Sequence, residues 1–190
     1  MDRKTIHKVI QQRQIEDSLK QEFEQTLSGR AARYLEVKPH GIIPYTHFSS
    51  VSAECSLLFR DGHFYGCIAL TQAVADALVR FLCQKNSWKP AKYFEKNVKN
   101  LSVRNVISDK AKVSLLQIWE NRDDYHHLNP NIKTDRQALE ELARGKARLL
   151  ADVESEVFRF RVVDGKLIPE QPQYWEISGD HAQVFLRLDP

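Results

Sequence analysis

The 190-residue chain is long enough to bury a substantial hydrophobic core, and a single domain with an appended terminal piece is the default expectation. Apolar residues make up 42% and charged residues 28%, which excludes a disordered or fibrous chain. The formal net charge of +3 permits a polyanionic partner without requiring one.

Three cysteines, Cys55, Cys67 and Cys83, lie in helix-like apolar patterns and form no CxxC pair. They read as small buried hydrophobes in a reducing, cytoplasmic setting. The N-terminus has no apolar run of signal-peptide type. No stretch approaches about 18 to 20 uninterrupted apolar residues, so no membrane span is expected. Asn100-Leu101-Ser102 matches the glycosylation sequon, but nothing secretory accompanies it.

In chain order, Ile6, Ile10, Ile15, Leu19, Phe23 and Leu27 predict a helix over residues 2–29, ended by Gly29. Its stripe needs a covering surface, either its own domain or a second subunit. Tyr34-Leu35-Glu36-Val37 alternates enough to be extended, and Pro39, Gly41 and Pro44 then break the chain. Residues 1–45 thus read as an N-terminal helix and connector. A helix is expected over 50–59, capped by Ser49 or Ser50, with Asp61-Gly62 interrupting it. Another spans 63–83, where Ala69, Ala73 and Ala77 suggest a close-packed bundle core. His47 and His63 sit near these helix starts and read as surface or capping residues.

Residues 85–112 are distinctly basic, with only Glu95 and Asp109 in opposition. Such a run is commonly a solvated face; it also suits phosphate contacts, for which Lys92, Lys96, Lys99, Arg104 and Lys112 are the candidates. Tyr93, Phe94, Val98 and Leu101 suggest a short helix there. Ser108 then caps a helix expected to carry Val113, Leu115, Leu116, Ile118 and Trp119 and to continue through Arg122-Asp123-Asp124-Tyr125-His126-His127. On such a helix Leu115, Trp119, Arg122 and His126 share a stripe. His127 meets Arg122 only if the last turn loosens before Pro130, or if a partner subunit brings the two together.

Thr134 and Gln137 form a capping-box pattern for a final helix over 135–158. Residues 159–190 read as a small β appendage, with Asp164-Gly165 as a hairpin turn. Further strands are expected at 174–177 and 183–188, around Gly179-Asp180. The fold class is therefore mainly α, an up-and-down bundle over 46–158 with a small antiparallel β appendage.

The concentration of ionisable groups at 122–127 is the strongest chemical signal. An imidazole exchanges protons near neutrality, and a guanidinium matches phosphate oxygens. A bland alternative is a set of ion pairs at a helix end, with Tyr125 and Leu128 in the core. Metal binding by His126, His127 and Asp123 or Asp124 is a third reading. It is disfavoured because adjacent histidines diverge on a helix, so no metal and no cofactor is assigned.

The Ala-rich helix after Gly62, the Arg122-x4-His127 segment and the long closing helix together resemble the HEPN superfamily of small helical domains. The resemblance covers about residues 46–158. Arg122 matches the family arginine, Asp123 the polar position after it, and His127 the histidine; His126 falls one residue short. The resemblance implies a metal-independent endoribonuclease working as a homodimer, of the toxin–antitoxin or defence type, with Arg122 and His127 at the subunit interface. It would give His127 a general base or acid role, Arg122 phosphate stabilisation, and His126, Tyr125 and Asp123 orienting roles. An RNA substrate and an antitoxin or other protein partner would follow. Some members of the superfamily lack catalysis, which leaves a noncatalytic interaction or nucleic-acid-binding protein as the alternative. Asp123 stands where the family commonly has Asn, and Asp124 adds a second acid.

Overall fold

A computed structural model describes residues 3–127, 129–132, 135–179 and 181–187. Helices α1 (Arg3–Glu36), α2 (Ser49–Asp61), α3 (Phe64–Lys85), α4 (Phe94–Val103), α5 (Asp109–Trp119), α6 (Arg122–His126) and α7 (Arg136–Val157) form a mainly helical bundle. Strands β1 (Ile42–Pro44), β2 (Phe160–Val163), β3 (Lys166–Pro169), β4 (Ile177–Ser178), β5 (His181–Ala182) and β6 (Val184–Leu186) make three two-stranded antiparallel sheets.

Helix α3 is the central element. Its buried face runs through Cys67, Ile68, Thr71, Gln72, Val74, Ala75, Leu78, Val79 and Leu82, and α2, α4, α5, α6 and α7 pack around it. By length and composition α3 could cross a membrane, but 61% of its apolar window is buried within the bundle. The expected alanine seam is corrected: Ala69 and Ala77 are half-buried and Ala73 is exposed. The larger side chains one position away take the core, because burying them removes more apolar surface from water. All three cysteines are buried thiols. Burial raises each thiol pKa, that of Cys67 to about 11.

Several boundaries differ from the sequence expectation. Helix α1 runs through Gly29 to Glu36, so 34–36 is helical and not extended. Tertiary contacts hold this end: Arg30 pairs with Asp61, Arg33 donates to the Arg60 carbonyl, and Arg144 pairs with Glu36. These override the modest cost of one helical glycine. Neither Ser49 nor Ser50 caps α2. Phe48 occupies the cap position, and the Ser49 hydroxyl is committed to the Pro44 carbonyl at 2.8 Å. Gly62 closes α2 at φ 83°, a left-handed conformation that favours glycine. Ser108 caps α5 as expected, accepting from the Ala111 amide. Helix α7 is capped by Asp135, which accepts from the Ala138 amide; Thr134 of the proposed capping box lies outside the described residues.

Asp164 and Gly165 both take positive φ and join β2 to β3, the turn expected of Asp-Gly. Of the strand expected at 174–177 only Ile177 lies in a strand, as the start of β4; Tyr174 ends a 3-10 turn, Pro172–Tyr174, and Tyr174 and Trp175 sink into the core. Proline suits such a turn because its φ is already fixed. Despite Gly41 and Pro44, β1 forms and pairs with β6, setting Ile43 opposite Phe185. The two terminal segments therefore meet. A buried ion pair fixes that junction: Arg187 Nη2 lies 2.7 Å from Glu154 Oε2 and 2.6 Å from the Ser52 hydroxyl. Arg187 and Glu154 side chains are 4% and 1% exposed, so each charge depends on the other in place of water.

Candidate functional site

Helix α5 and the motif do not form one continuous helix. Glu120 turns extended, and Asn121 adopts φ 58° before α6 begins. Asparagine tolerates the left-handed region better than most residues. The terminal carbonyls of α5 are satisfied by side chains from two other helices. Lys146 Nζ donates to Ile118, Glu120 and Gln117 carbonyls at 2.6, 2.9 and 3.2 Å. Gln72 Nε2 donates to Ile118 and Glu120 at 3.0 and 3.1 Å. A cation is favoured at this negative helix end. Burial nevertheless pushes the Lys146 ammonium down to about 8, with the Glu120 carboxylate opposing the shift.

This break sets the orientation of α6. Tyr125 is buried, and the Tyr65 hydroxyl donates to its carbonyl at 2.6 Å while the rings sit 5.5 Å apart. Burial raises the Tyr125 phenol, reinforced by Asp124 and Tyr65. The Asp124 carboxylate accepts from Asn129 Nδ2 at 2.7 Å, fastening the chain after the motif. Tyr125 and Asp124 thus anchor α6, and Arg122, Asp123 and His127 project outward.

Asp123 joins the other two. Its Oδ1 lies 2.9 Å from Arg122 Nη1 and 3.9 Å from His127 Nε2. His127 is the C-cap of α6 and has left helical geometry, with φ −103° and ψ 8°. The turn stays closed, with the His127 amide donating to the Asp123 carbonyl at 3.0 Å, so Arg122 and His127 are linked through Asp123 and not by direct contact. The expected stripe of Leu115, Trp119, Arg122 and His126 on one helix is corrected, because the break at Glu120-Asn121 intervenes. Arg122 and Trp119 still meet, with the guanidinium 5.2 Å from the indole centroid. Trp119 in turn stacks on Phe94 of α4 at 4.1 Å and 12°.

His126 points elsewhere. It is half-buried, and its Nε2 is buried without a hydrogen-bond partner among the described residues. Burial first, and then the Arg122 charge, lower its pKa below 6.5; the Ala69 carbonyl opposes them. The two histidines thus differ in kind: His127 is 71% exposed and faces the carboxylate, while His126 lies against α3.

A shallow groove of about 450 Å³ runs beside Arg122 and Trp119. Glu95, Glu120, Asp123 and Asp124 line it, making Arg122 one cation among four acids. Of the basic candidates, Lys92, Lys96, Lys99 and Arg104 are exposed. Arg104 stacks over Trp88 at 4.2 Å, and Lys92 lies 5.7 Å from the Tyr93 ring. Lys112 is 3.9 Å from Asp109. The Phe94–Trp119–Arg122 stack joins the helix bearing Lys96 and Lys99 to the motif. The sequence held only a weak signal of that link, the aromatic residues at 94 and 119. It gave none for Lys146, Gln72, Glu154 or Arg187.

Among the described residues no group of three or more His, Cys, Asp or Glu side chains could hold a metal ion. No family model matches the chain, and neither the curated proteins nor the solved structures compared with it give a match.

Proposed function

We propose that the chain is an endoribonuclease of the HEPN kind, acting without a metal and as a homodimer, in a toxin or defence setting. The convergence of Arg122 and His127 on the Asp123 carboxylate carries this reading. RNA cleavage of this type needs a base for the ribose 2′-hydroxyl, positive charge for the phosphorane, and an acid for the departing 5′-oxygen. His127, which is exposed, takes the 2′ proton. The 2′-oxygen attacks phosphorus while Arg122 moves from Asp123 onto the phosphate oxygens. The bond to the 5′-oxygen breaks as that oxygen gains a proton, leaving a 2′,3′-cyclic phosphate. Asp123 positions both side chains. The site is open, so a second subunit supplies its other wall and the second proton-transfer group. Exposed Lys92, Lys96, Lys99 and Arg104, with half-buried Lys112, hold the RNA backbone.

The acids around Arg122 favour a second reading, a noncatalytic interaction or nucleic-acid-binding protein, because carboxylates repel phosphate and hold the guanidinium. Product-end analysis separates the two. Oligonucleotides ending in 2′,3′-cyclic phosphate, formed by the parent and absent with Arg122→Ala, are the expected result. Intact RNA that binds in a salt-dependent way establishes the noncatalytic reading instead.

A further inference from the structure

Helix α1 has a solvent-exposed part and a docked part. Every residue from Lys4 to Gly29 is exposed, and the contacts to α2 and α7 begin at Arg30. The exposed part spans about 40 Å at 1.5 Å per residue. It carries seven large apolar side chains, Ile6, Val9, Ile10, Ile15, Leu19, Phe23 and Leu27, each between 44% and 59% exposed. A lone helix in water gains little from such residues, and a row of them along one element marks a surface that another chain covers.

The charges on the same segment are segregated. From Lys4 to Gln14 there are Lys4, Lys8 and Arg13 and no acid. From Ile15 to Ser28 there are Glu16, Asp17, Glu22 and Glu24 against Lys20 alone. The apolar residues divide at the same place. The step from Ile10 to Ile15 interrupts the spacing, leaving one apolar patch on the basic half and another on the acidic half. Two parallel copies would set like charges together. Two antiparallel copies set each basic half on the other's acidic half and bring apolar residues of one half beside those of the other.

We infer that α1 is a homodimerisation arm whose occupant is the α1 of a second copy, paired antiparallel, with Ile6 opposite Leu27 and Ile10 opposite Phe23. The apolar patches drive the association, and the charge segregation sets its direction. Because Arg30 is held by Asp61 at the α2–α3 turn, the partner's basic segment arrives at the end of the bundle where α6 packs on α3. The inference rests on α1 and shares only the homodimer with the ribonuclease reading.

The full chain is tested by sedimentation equilibrium together with engineered cysteines; the three native thiols are buried. Ile6 and Leu27 are about 31 Å apart on one helix, too far for a disulfide within a chain. The variant I6C/L27C is expected to give a covalent dimer on mild oxidation, while I6C alone stays uncrosslinked. Replacing Lys4, Lys8 and Arg13 together by Glu is expected to raise the dimer dissociation constant at least tenfold at low salt, with unchanged thermal unfolding of the bundle. A monomeric parent at about 100 μM, self-crosslinking of I6C, or a charge-reversed protein that dimerises as well as the parent would each overturn the inference. RNA cleavage enters none of these measurements.

Discussion

Arg187→Met is the most informative single change to the scaffold. The parent side chain donates to Ser52, to Glu154 and, at 3.2 Å, to the His40 carbonyl. Methionine fills much of the same space but leaves Glu154, 1% exposed, with the Ser52 hydroxyl as its remaining donor. Removing one partner of a buried ion pair costs about 3–5 kcal/mol, chiefly because a desolvated charge is stranded. For a domain of this size that corresponds to a fall in Tm of roughly 6–20 °C. Adding Glu154→Leu removes the stranded charge and restores most of the loss, since apolar replacements of buried pairs are commonly near neutral. Urea unfolding followed by circular dichroism at pH 7 gives all three free energies. A loss below about 1 kcal/mol in the single variant, or a double variant worse than the single, refutes the reasoning.

The buried Lys146 gives a pH signature. Its pKa is lowered from 10.5 to about 8, so between those values the unfolded chain binds more protons and stability rises with pH, by up to about 3 kcal/mol. Unfolding midpoints across pH 7.5–10.5 check this, and Lys146→Met flattens the rise. His126 has a pKa below 6.5, so its contribution to stability is constant above that value and is lost as pH falls beneath it. Histidine NMR titration of the parent against His126→Gln assigns the low-titrating resonance. Replacing Lys92, Lys96 and Lys99 together by Gln lowers RNA affinity and reduces the slope of log K against log salt by about 0.7 per lost phosphate contact. An unchanged slope places the RNA elsewhere.

Local rules read well where local chemistry decides. Ser108 is a helix cap and Asp164-Gly165 a hairpin turn because single side chains and backbone preferences suffice. The helical bundle and its small antiparallel appendage were legible from periodicity. Gly29 and residues 34–36 were misread because ion pairs from Asp61 and Arg144, distant in sequence, keep α1 helical. Ala69, Ala73 and Ala77 were misread because the i,i+4 pattern does not say which neighbouring stripe faces the core. At the site, the Arg122 and His127 spacing was visible, but the break that separates α6 from α5 depends on Lys146 and Gln72 capping α5 from other helices. Lys146 and Glu154 look like ordinary surface positions of an amphipathic helix, and only their distant partners reveal them as buried.

The ribonuclease reading meets its most direct test in end-labelled RNA incubated with the protein in excess EDTA, beside Arg122→Ala and His127→Ala. The account predicts cleavage by the parent and a loss of at least about 100-fold in either variant, the scale of a missing proton-transfer or charge-stabilising group. Either variant cleaving as fast as the parent, or a well-folded parent that leaves varied RNAs intact, contradicts it.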